Sequence, residues 1–373
     1  MNKIRILFTI PNFNTAGSGK ALLNIAKSLN PAKFEAHISC QSEAGDFFKV
    51  VKNSGIQVHV FDYIPKSRPI HKMFSEAWRV SRKFRSIHPD IIHSFHYSDN
   101  YTEGLAARLA GIKWVFTKKN MSWGGSGRGW KWRSTMAKAI AVQNTDMQIQ
   151  FYPNANKTQL IPRGVNIEQF KVNEPNPEIR VSMNTPFESR IIICVANMVP
   201  VKGVELLIQA FHALANECLN WHVWLVGDIN NEYGAQLLDQ VAQLDLTHRI
   251  HFSGKQSNVC DYLDHAEIFV LPTKDEGRRE GSPVALLEAM ANGKVVIGSA
   301  VPGVKDQLQL FPQHQFVPGN WQDLGDKLQT FMQKPTEENI ILGKTFVKHV
   351  MENYSIELEV KRHEDFYINI TNE

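Results

Sequence analysis

The chain has 373 residues with a globular composition, 43% hydrophobic, and no apolar run approaches the ~20 residues of a membrane-spanning helix. Its four cysteines are isolated, which excludes a disulfide framework or a cysteine-based zinc site and makes a reducing cytoplasm the default compartment. The net charge of +4 hides an asymmetry: residues 1–175 carry 25 Lys and Arg against 11 Asp and Glu. This half should therefore meet an anionic partner, either a phosphate-bearing acceptor or a membrane surface.

The first half of the chain is predicted to alternate between strands and helices. Strands are predicted at residues 4–10, 37–40, 57–61, 91–94, 114–117 and 138–142. Helices are predicted between them, notably at residues 20–29, 74–87 and 101–109. Because the first strand is apolar almost throughout, as in a parallel sheet covered on both faces, this half is predicted to form a doubly wound parallel sheet.

The turn between the first strand and the first helix, residues 11–19, contains Gly17 and Gly19. A lysine follows, as in the P-loop of nucleoside triphosphatases, but Asn14 replaces the first glycine of that motif and Ala21 replaces its magnesium-binding Ser or Thr. The P-loop is therefore disfavoured. Two interpretations remain open: the glycines let a ligand approach the backbone closely, or they form a tight turn without a ligand.

Polar side chains follow two neighbouring strands of this predicted sheet. His93 and His96 lie at the end of the strand 91–94, where open α/β sheets bind ligands, and Lys119 follows the next strand. His96 and Lys119 are therefore candidate catalytic groups that face one cleft. The alternatives are a histidine satisfied within the core and a solvated lysine.

Two basic stretches with aromatic residues occupy positions 66–85 and 114–138. The second contains Trp123, Trp130 and Arg133, and its glycines predict a mobile, acceptor-binding loop. Tryptophan combined with Arg and Lys favours contact with an anionic membrane or a lipid-phosphate acceptor. The alternative is a solvated face whose aromatic side chains pack inward.

A proline-rich, polar segment at residues 174–187 is predicted to be a linker. After it, strands alternate with helices again, and this second doubly wound sheet has predicted strands at residues 190–195, 222–226, 250–252, 268–271 and 295–298. Beyond residue 301 no strand is predicted, and residues 340–361 are predicted to be an amphipathic helix. The predicted organisation is a domain at 1–173, the linker, a domain at 188–345 and a helical segment at 346–373 that packs back toward the first domain.

The turn after the strand 190–195 contains Asn197 and Lys202. Lys202 directly precedes a predicted helix, where its ammonium group can neutralise a phosphate bound at the helix start. The alternative is an ordinary exposed lysine. That interpretation would be favoured if the position of Lys202 were the sole indication of a phosphate site.

The segment EGRREGSPVALLEAMANG predicts a helix with a carboxylate ahead of its start and another within it. Ser282 is a good N-cap, Pro283 suits the first helical position, and Gly293 is the usual residue just past a helix end. Glu280 precedes this helix on a loop that follows a strand, and Glu288 lies about one and a half turns into it.

Backbone N–H groups at the start of that helix are predicted to form an anion site. Those of Gly281, Ser282, Val284 and Ala285 point into the space between Glu280 and Glu288. A helix start of this kind binds a diphosphate, and carboxylates on either side accept hydrogen bonds from hydroxyl groups. A ligand that carries hydroxyl groups beside a diphosphate is a nucleotide sugar, so the sequence predicts a site for this class of molecule. The alternative is that both glutamates are surface charges favoured by the helix dipole.

Six segments, in this order, resemble one known family. They are residues 16–29, 161–170, 195–211, 222–228, 251–272 and 280–303, the last of which reads EGSPVALLEAMANGKVVIGSAVPG. The chain is similar to the retaining glycosyltransferases of family 4, also called group 1, which have the GT-B fold. The resemblance implies two facing Rossmann-like domains with a cleft between them, the first on the acceptor side and the second binding the nucleotide sugar.

The resemblance also implies roles for individual residues. Glu288 would contact the ribose hydroxyls of the donor, Glu280 the donor sugar, and Lys202 the diphosphate. Gly17 would let the first domain close on the donor. The other positions assigned to donor binding are Gly19, Asn197, Gly281, Ser282, Pro283 and Val284.

The chain departs from the family pattern at three positions. Asn197 stands where the family usually has arginine, so one phosphate-binding cation is missing unless Arg278, Arg279 or Lys20 replaces it. Lys119 stands where many members place a catalytic histidine. The third departure is Ala16, which replaces the second glycine of the front loop, with Gly19 compensating nearby.

A retaining, metal-independent hexosyltransferase is the activity that the resemblance implies. It would move a sugar from a UDP- or GDP-linked donor to a hydroxyl of a saccharide or lipid-linked acceptor, in cell-envelope polysaccharide or lipopolysaccharide biosynthesis. The sequence has no Asp-x-Asp pair to hold a divalent metal, and no cofactor beyond the donor substrate is expected. We expect no nucleic-acid partner and a location in the cytoplasm, at the inner face of the cytoplasmic membrane.

Two other functions remain open from the residues. A nucleotide-sugar epimerase would need a carboxylate base in the front half, for which Asp99 or Glu103 is available. A catalytically decayed, sugar-nucleotide-binding subunit is the second, and the departures at Asn197 and Lys119 are the two features that leave it open.

Overall fold

The structure is a computed structural model that describes residues 3–14, 16–45, 47–122, 127–153, 156–277 and 279–372, with the exception of the side chain at position 16. The chain divides into two compact units. The first unit comprises Met1–Pro162 and Glu357–Glu373, and the second comprises Arg163–Ile356. The division therefore lies ahead of the proline-rich segment 174–187, and that segment contains a short helix rather than only extended chain.

A seven-stranded parallel sheet forms the centre of the first unit. Its strands are β1 (Ile4–Thr9), β2 (Phe34–Cys40), β3 (Gln57–Val60), β4 (Ile91–Ser94), β5 (Lys113–Lys118), β6 (Ala139–Val142) and β7 (Thr158–Leu160). They lie in the order β3-β2-β1-β4-β5-β6-β7. The helices are α1 (Ala16–Ser28), α2 (Phe47–Lys52), α3 (Ile70–Ile87), α4 (Thr102–Ala110), α5 (Gly127–Met136) and α6 (Thr145–Phe151). From Glu357 onwards, the C-terminal helix Ile356–Asn372 also belongs to this unit.

A six-stranded parallel sheet forms the centre of the second unit. Its strands are β8 (Arg190–Val195), β9 (Trp221–Val226), β10 (Ile250–Gly254), β11 (Ile268–Leu271), β12 (Val295–Ser299) and β13 (Gln315–Phe316), in the order β10-β9-β8-β11-β12-β13. The helices are α7 (Pro177–Ser182), α8 (Val204–Leu214), α9 (Glu232–Gln243), α10 (Val259–Asp264), α11 (Val284–Ala291), α12 (Val304–Gln307), α13 (Trp321–Met332) and α14 (Thr336–Asn353). Three short 3-10 helices lie at Glu168–Phe170, Pro200–Lys202 and Pro312–His314.

Both sheets reverse their strand order at one position, as a doubly wound fold requires. In the first unit the reversal lies between β1 and β4, and in the second it lies between β8 and β11. Ligands of such sheets bind outside the carboxyl ends of the strands at this switch point. The two predicted doubly wound sheets are thus confirmed, and each has one place where a ligand is expected.

Several predicted elements differ from those in the structure. Helix α1 begins at Ala16 and α3 at Ile70, each four residues earlier than predicted. The strand β13 was not predicted, because a strand of two residues has too short a hydrophobic pattern to detect. The helix predicted at 340–361 is in fact two helices, interrupted where the backbone of Ser355 forms a bridge with Val165.

Candidate functional site

Helix α11 begins directly after Pro283, which has an extended backbone and serves as its N-cap residue. The prediction that Ser282 caps this helix is wrong. The Ser282 hydroxyl instead accepts hydrogen bonds from the backbone N–H of Arg163 and from Nε2 of Gln307, both at 3.1 Å. With its side chain engaged in these two bonds, Ser282 does not supply a capping bond to α11.

The end of α11 agrees with the sequence-based prediction. Gly293 has φ +69°, and its N–H donates to the carbonyl of Met290, while the N–H of Lys294 donates to that of Ala289, each at 3.0 Å. This pair of bonds is the Schellman motif, in which a glycine in the left-handed region ends the helix.

The loop ahead of α11 is held in place by Gly303. This glycine has φ +82°, and a Cβ atom there would lie 2.5 Å from the carbonyl oxygen of Gly281. Gly281 and Pro283 are buried beside it. A side chain at position 303 would thus displace the backbone that leads into α11.

Lys202 and Glu280 form an ion pair at the switch point of the second sheet. Lys202 ends the 3-10 helix that follows β8, and Glu280 lies on the loop that follows β11. The same Glu280 oxygen accepts a hydrogen bond of 2.9 Å from the hydroxyl of Thr273, which is buried. The sequence predicted both charged residues as site residues, but it did not predict their contact.

The loops after β8 and β11 also touch through their backbones. The N–H of Lys274 donates to the carbonyl of Val201 at 2.8 Å. Gly203, with φ +63°, lies so close that a Cβ atom would be 2.2 Å from the carbonyl oxygen of Pro272. The position of Lys202 relative to the Glu280 loop is therefore set by packing that tolerates only glycine at 203.

A second charged cluster lies beside this pair and was not identified from the sequence. The Lys274 ammonium contacts carboxylate oxygens of Glu205 and Glu276, each at 3.0 Å. Burial lowers the pKa of Lys274, but its bonds to the two carboxylates outweigh burial and raise the pKa overall. The Tyr233 hydroxyl donates to Glu205, and burial together with that carboxylate raises the pKa of Tyr233. Lys274 thus stays charged at neutral pH.

Position 197 carries no cation, and the described residues among its proposed substitutes are engaged or placed elsewhere. Asn197 is exposed at the carboxyl end of β8. Arg279 forms an ion pair of 2.6 Å with Asp275, and Arg278 lies outside the described residues. Lys20 belongs to the first unit, where it is exposed on α1.

Glu288, the second predicted carboxylate of the site, is the fifth residue of α11 and is partly buried.

In the first unit, Lys119 links the ends of two strands to the start of α1. Its ammonium donates to the hydroxyl of Ser18 at 3.2 Å and also to the carbonyl of Phe95. The flanking glycines Gly17 and Gly19 lie in the first turn of α1, not in the loop that the sequence predicted. Gly19 packs tightly, because a Cβ atom there would lie 2.9 Å from the ring of Phe13, whereas Gly17 is exposed with no atom within 4 Å of such a position.

The two histidines near β4 have different environments. His93 is a core residue, with hydrogen bonds from its ring to the hydroxyls of Tyr367 at 2.6 Å and Thr117 at 2.8 Å. His96 lies beyond the strand and is partly exposed. Burial, with the cations of Arg133 and Lys119 nearby, lowers the pKa of His96 to about 3. At neutral pH His96 is therefore an uncharged imidazole.

Arg133 is fully buried, which corrects its predicted place on a membrane-facing surface. Its guanidinium donates to the carbonyls of Asn100 at 2.6 Å and His96 at 2.9 Å, and to the hydroxyl of Ser94 at 3.1 Å. Burial lowers the pKa of Arg133. Its position depends on carbonyl groups more than thirty residues away in the chain, so no local pattern reveals it.

Glu103 is buried in the first unit. Its carboxylate accepts hydrogen bonds from the hydroxyls of Thr9 and Ser94, at the carboxyl ends of β1 and β4. Because its partners are buried hydroxyl groups, Glu103 is poorly suited to act as the base of an epimerase.

The two tryptophans predicted to contact a membrane have different outcomes. Trp130 is 1% exposed, which corrects its predicted contact with a membrane. Trp123 lies outside the described residues.

No group of three or more His, Cys, Asp or Glu residues among the described residues has the arrangement of a metal site. No helix within the described ranges is both long and apolar enough to cross a membrane. Metal independence remains a prediction from the sequence.

Comparison with known proteins identifies the family of both units. The family model described as glycosyltransferase family 4 matches residues 15–169, and the one described as glycosyl transferases group 1 matches residues 175–345. A capsular polysaccharide biosynthesis glycosyltransferase of Staphylococcus aureus, CapH, is 24% identical over 335 residues, which are 87% of this chain and 90% of that protein.

Solved structures share the fold of the whole chain. A glycosyltransferase from Rickettsia africae has a TM-score of 0.87 at 19% identity and covers 99% of both chains. HepE from Anabaena, solved in complex with UDP and glucose, has a TM-score of 0.81 at 18% identity and covers 97% of this chain and 98% of its own. Because the two family models match successive parts of the chain and the fold agrees throughout, this protein belongs to the family 4, or group 1, glycosyltransferases of the GT-B fold.

Proposed function

We propose that this glycosyltransferase moves a sugar from a nucleoside diphosphate to a hydroxyl group of a saccharide or lipid-linked acceptor, in the synthesis of a cell-envelope polysaccharide. The observation that carries the proposal is the Lys202–Glu280 ion pair beside the start of α11, at the switch point between β8 and β11. A cation, backbone N–H groups and a carboxylate together suit a diphosphate joined to a polyhydroxyl ring. The UDP and glucose bound by HepE and the capsular polysaccharide named for CapH support this chemistry.

The proposed donor site assigns one task to each group. Lys202 and the N–H groups of Gly281 and Val284 receive the diphosphate. Glu280 accepts a hydrogen bond from a hydroxyl of the donor sugar, and Glu288 accepts from the ribose. Because Lys202 neutralises Glu280 before the donor arrives, neither charge is left unpaired in the empty site.

The proposed reaction breaks the bond between C1 of the sugar and the diphosphate oxygen, which keeps the electron pair. The oxygen of the acceptor hydroxyl bonds to C1 on the same face, and its proton passes to the departing diphosphate. Lys202 and the helix-start N–H groups stabilise the charge that develops on that diphosphate. This internal-return path gives retention without a covalent enzyme intermediate and needs no metal. His96, as a neutral imidazole, and Lys119 are the catalytic groups proposed in the first unit.

A reducing cytoplasm is the proposed location. All four cysteines are free thiols, which such a compartment maintains. The proposed donor is a UDP- or GDP-linked sugar.

One experiment tests the proposal against its two rivals. The purified protein is incubated with a mixture of UDP- and GDP-sugars and with candidate acceptors, and the products are analysed by mass spectrometry. Transfer predicts a glycosylated acceptor with stoichiometric release of UDP or GDP, and this product should disappear in Lys202→Met. Interconversion of nucleotide sugars without transfer would identify an epimerase, and saturable binding without turnover would identify a binding subunit. Either result would overturn the proposal.

A further inference from the structure

Helix α3 exposes a row of large apolar side chains. Ile70, Phe74 and Trp78 follow one another at intervals of four residues and are 66%, 54% and 51% exposed. Side chains at this spacing lie along one side of a helix, over about 12 Å. The opposite side of α3 is buried in the unit through residues such as Ala77 and Phe84. The helix is thus held by its core side while an apolar row, here called the α3 row, remains in solvent.

A fourth exposed residue extends this surface onto α5. Trp132 is 57% exposed, and its ring lies 6.2 Å from that of Tyr101, measured between centroids. The hydroxyl of Tyr101 in turn contacts the sulfur of Met73 on α3 at 3.7 Å. Trp132 is therefore linked to helix α3 through Tyr101 and Met73, and α5 contributes a further exposed aromatic side chain beside α3.

The same surface is strongly basic. Between positions 66 and 85 the chain has seven Lys and Arg residues and a single acidic residue, Glu76. That carboxylate accepts a hydrogen bond from the backbone N–H of Lys66. Successive residues of an α-helix turn by about 100°, so Arg82 and Arg85 project within roughly 40° of Trp78. The Arg85 guanidinium lies 5.4 Å from the centre of the Trp78 ring.

We propose that Ile70, Phe74, Trp78 and Trp132 dock this enzyme on an anionic lipid bilayer, with α3 lying in the plane of the interface. The aromatic and aliphatic side chains enter the headgroup region, while the neighbouring cations contact lipid phosphates. Charge complementarity selects this occupant, because residues 66–85 combine the bulky apolar groups of α3 with seven cations and a single carboxylate, that of Glu76. The inference does not depend on which donor or acceptor the enzyme uses.

Vesicle co-sedimentation of the full chain tests this surface. Vesicles of phosphatidylcholine alone are compared with vesicles of equal parts phosphatidylcholine and phosphatidylglycerol. The double variant Phe74→Ser/Trp78→Ser should reduce binding to the anionic vesicles by at least about tenfold. Ile149→Ser is the matched control, since Ile149 is 68% exposed on α6 of the same unit, and it should bind as the unaltered protein does.

A second variant separates the contribution of the cations to vesicle binding from that of the apolar side chains. Arg79→Gln/Arg82→Gln/Lys83→Gln should weaken binding to anionic vesicles and make the remaining binding less sensitive to salt. The proposal is overturned if the unaltered protein does not bind anionic vesicles, if Phe74→Ser/Trp78→Ser binds like the control, or if the row binds an acidic protein instead. UDP binding, measured on the same variants, should not change. Loss of vesicle binding alone would therefore leave the proposed transferase activity standing.

Discussion

Lys202 and Glu280 are 78 residues apart in the chain, yet their side chains form an ion pair at the carboxyl ends of two adjacent strands. The pair holds the cation proposed for the diphosphate against the carboxylate proposed for the sugar. Donor binding must therefore exchange the hydrogen bond between Lys202 and Glu280 for bonds to the donor. Substitution of Lys202 should consequently have a different effect from substitution of Glu280.

Substitution of either partner should separate diphosphate binding from transfer. Lys202→Met removes the cation proposed to bind the diphosphate, and a charge-assisted hydrogen bond is worth about 1.5–3 kcal/mol, so UDP or GDP affinity should fall roughly tenfold to a hundredfold. Glu280→Gln releases Lys202 from its partner, so nucleotide affinity should be unchanged or higher while kcat falls. Isothermal titration calorimetry and steady-state kinetics measure the two effects. Equal losses of nucleotide affinity in both variants would contradict this division of roles.

Gly303→Ala should destabilise the loop before α11. Gly303 and Gly319 both have φ +82°, but a Cβ atom at 303 meets the Gly281 carbonyl at 2.5 Å, whereas one at 319 has no atom within 4 Å. Gly319→Ala is therefore a control for backbone strain of about 1 kcal/mol, and Gly303→Ala should lower the free energy of unfolding by at least about 1 kcal/mol more. Urea denaturation measures both. The prediction fails if the two variants are equally stable.

An arginine at position 197 should tighten nucleotide binding. Asn197 is exposed at the carboxyl end of β8, so Asn197→Arg adds a cation near the proposed diphosphate site. We expect UDP or GDP affinity to rise by about tenfold, as for one added charge-assisted contact. Asn216→Arg is the control, because Asn216 is exposed ahead of β9, at the opposite end of the strands. An equal effect of both variants would indicate a general change of charge.

Replacing Arg133 should strongly destabilise the first unit. Arg133→Met leaves the carbonyls of His96 and Asn100 without their donor and removes a cation that interacts electrostatically with the buried Glu103. Loss of one partner from a buried charged network costs about 3–5 kcal/mol. Arg128→Met, on the exposed side of the same helix, should change the free energy of unfolding by less than about 0.5 kcal/mol. Similar unfolding curves for the two variants would refute the structural role of Arg133.

Acid should destabilise the second unit through His222. Its ring nitrogen Nδ1 lies 3.1 Å from Nε2 of His251, and burial together with that neighbour lowers the pKa of His222 to about 4. Below the ordinary histidine pKa of about 6.5 the unfolded chain binds a proton that the folded chain does not, so stability is lost as pH falls from about 6.5 to about 4. The loss should be roughly 2–3 kcal/mol and smaller in His222→Gln. Denaturation at a series of pH values measures it.

The sequence predicted those features whose cause is local. The end of α11 at Gly293 and the alternation of strands and helices follow from residue type and spacing, and the structure agrees with both. The N-cap of α11 was predicted wrongly because the hydroxyl of Ser282 bonds to Arg163 and Gln307, which are distant in the chain. Local propensity cannot take account of such competing partners.

The basic, aromatic stretches at residues 66–85 and 114–138 also combine a feature that the sequence predicts with one that depends on distant residues. Their composition indicated an interface, but it could not separate the buried Trp130 and Arg133 from the exposed Phe74, Trp78 and Trp132. Which side of each helix faces the core depends on neighbours supplied by the tertiary fold. The Lys202–Glu280 contact likewise exists because parallel strands bring their carboxyl ends to one edge.

The hydrogen bond between His93 and Tyr367 joins residues separated by 274 positions and completes the first unit with the C-terminal helix. The second unit, by contrast, is one uninterrupted stretch of chain. During synthesis on the ribosome, the later-translated unit therefore has all its parts before the earlier one does. The second unit should therefore mature first, and the first unit must stay incomplete until the helix Ile356–Asn372 emerges.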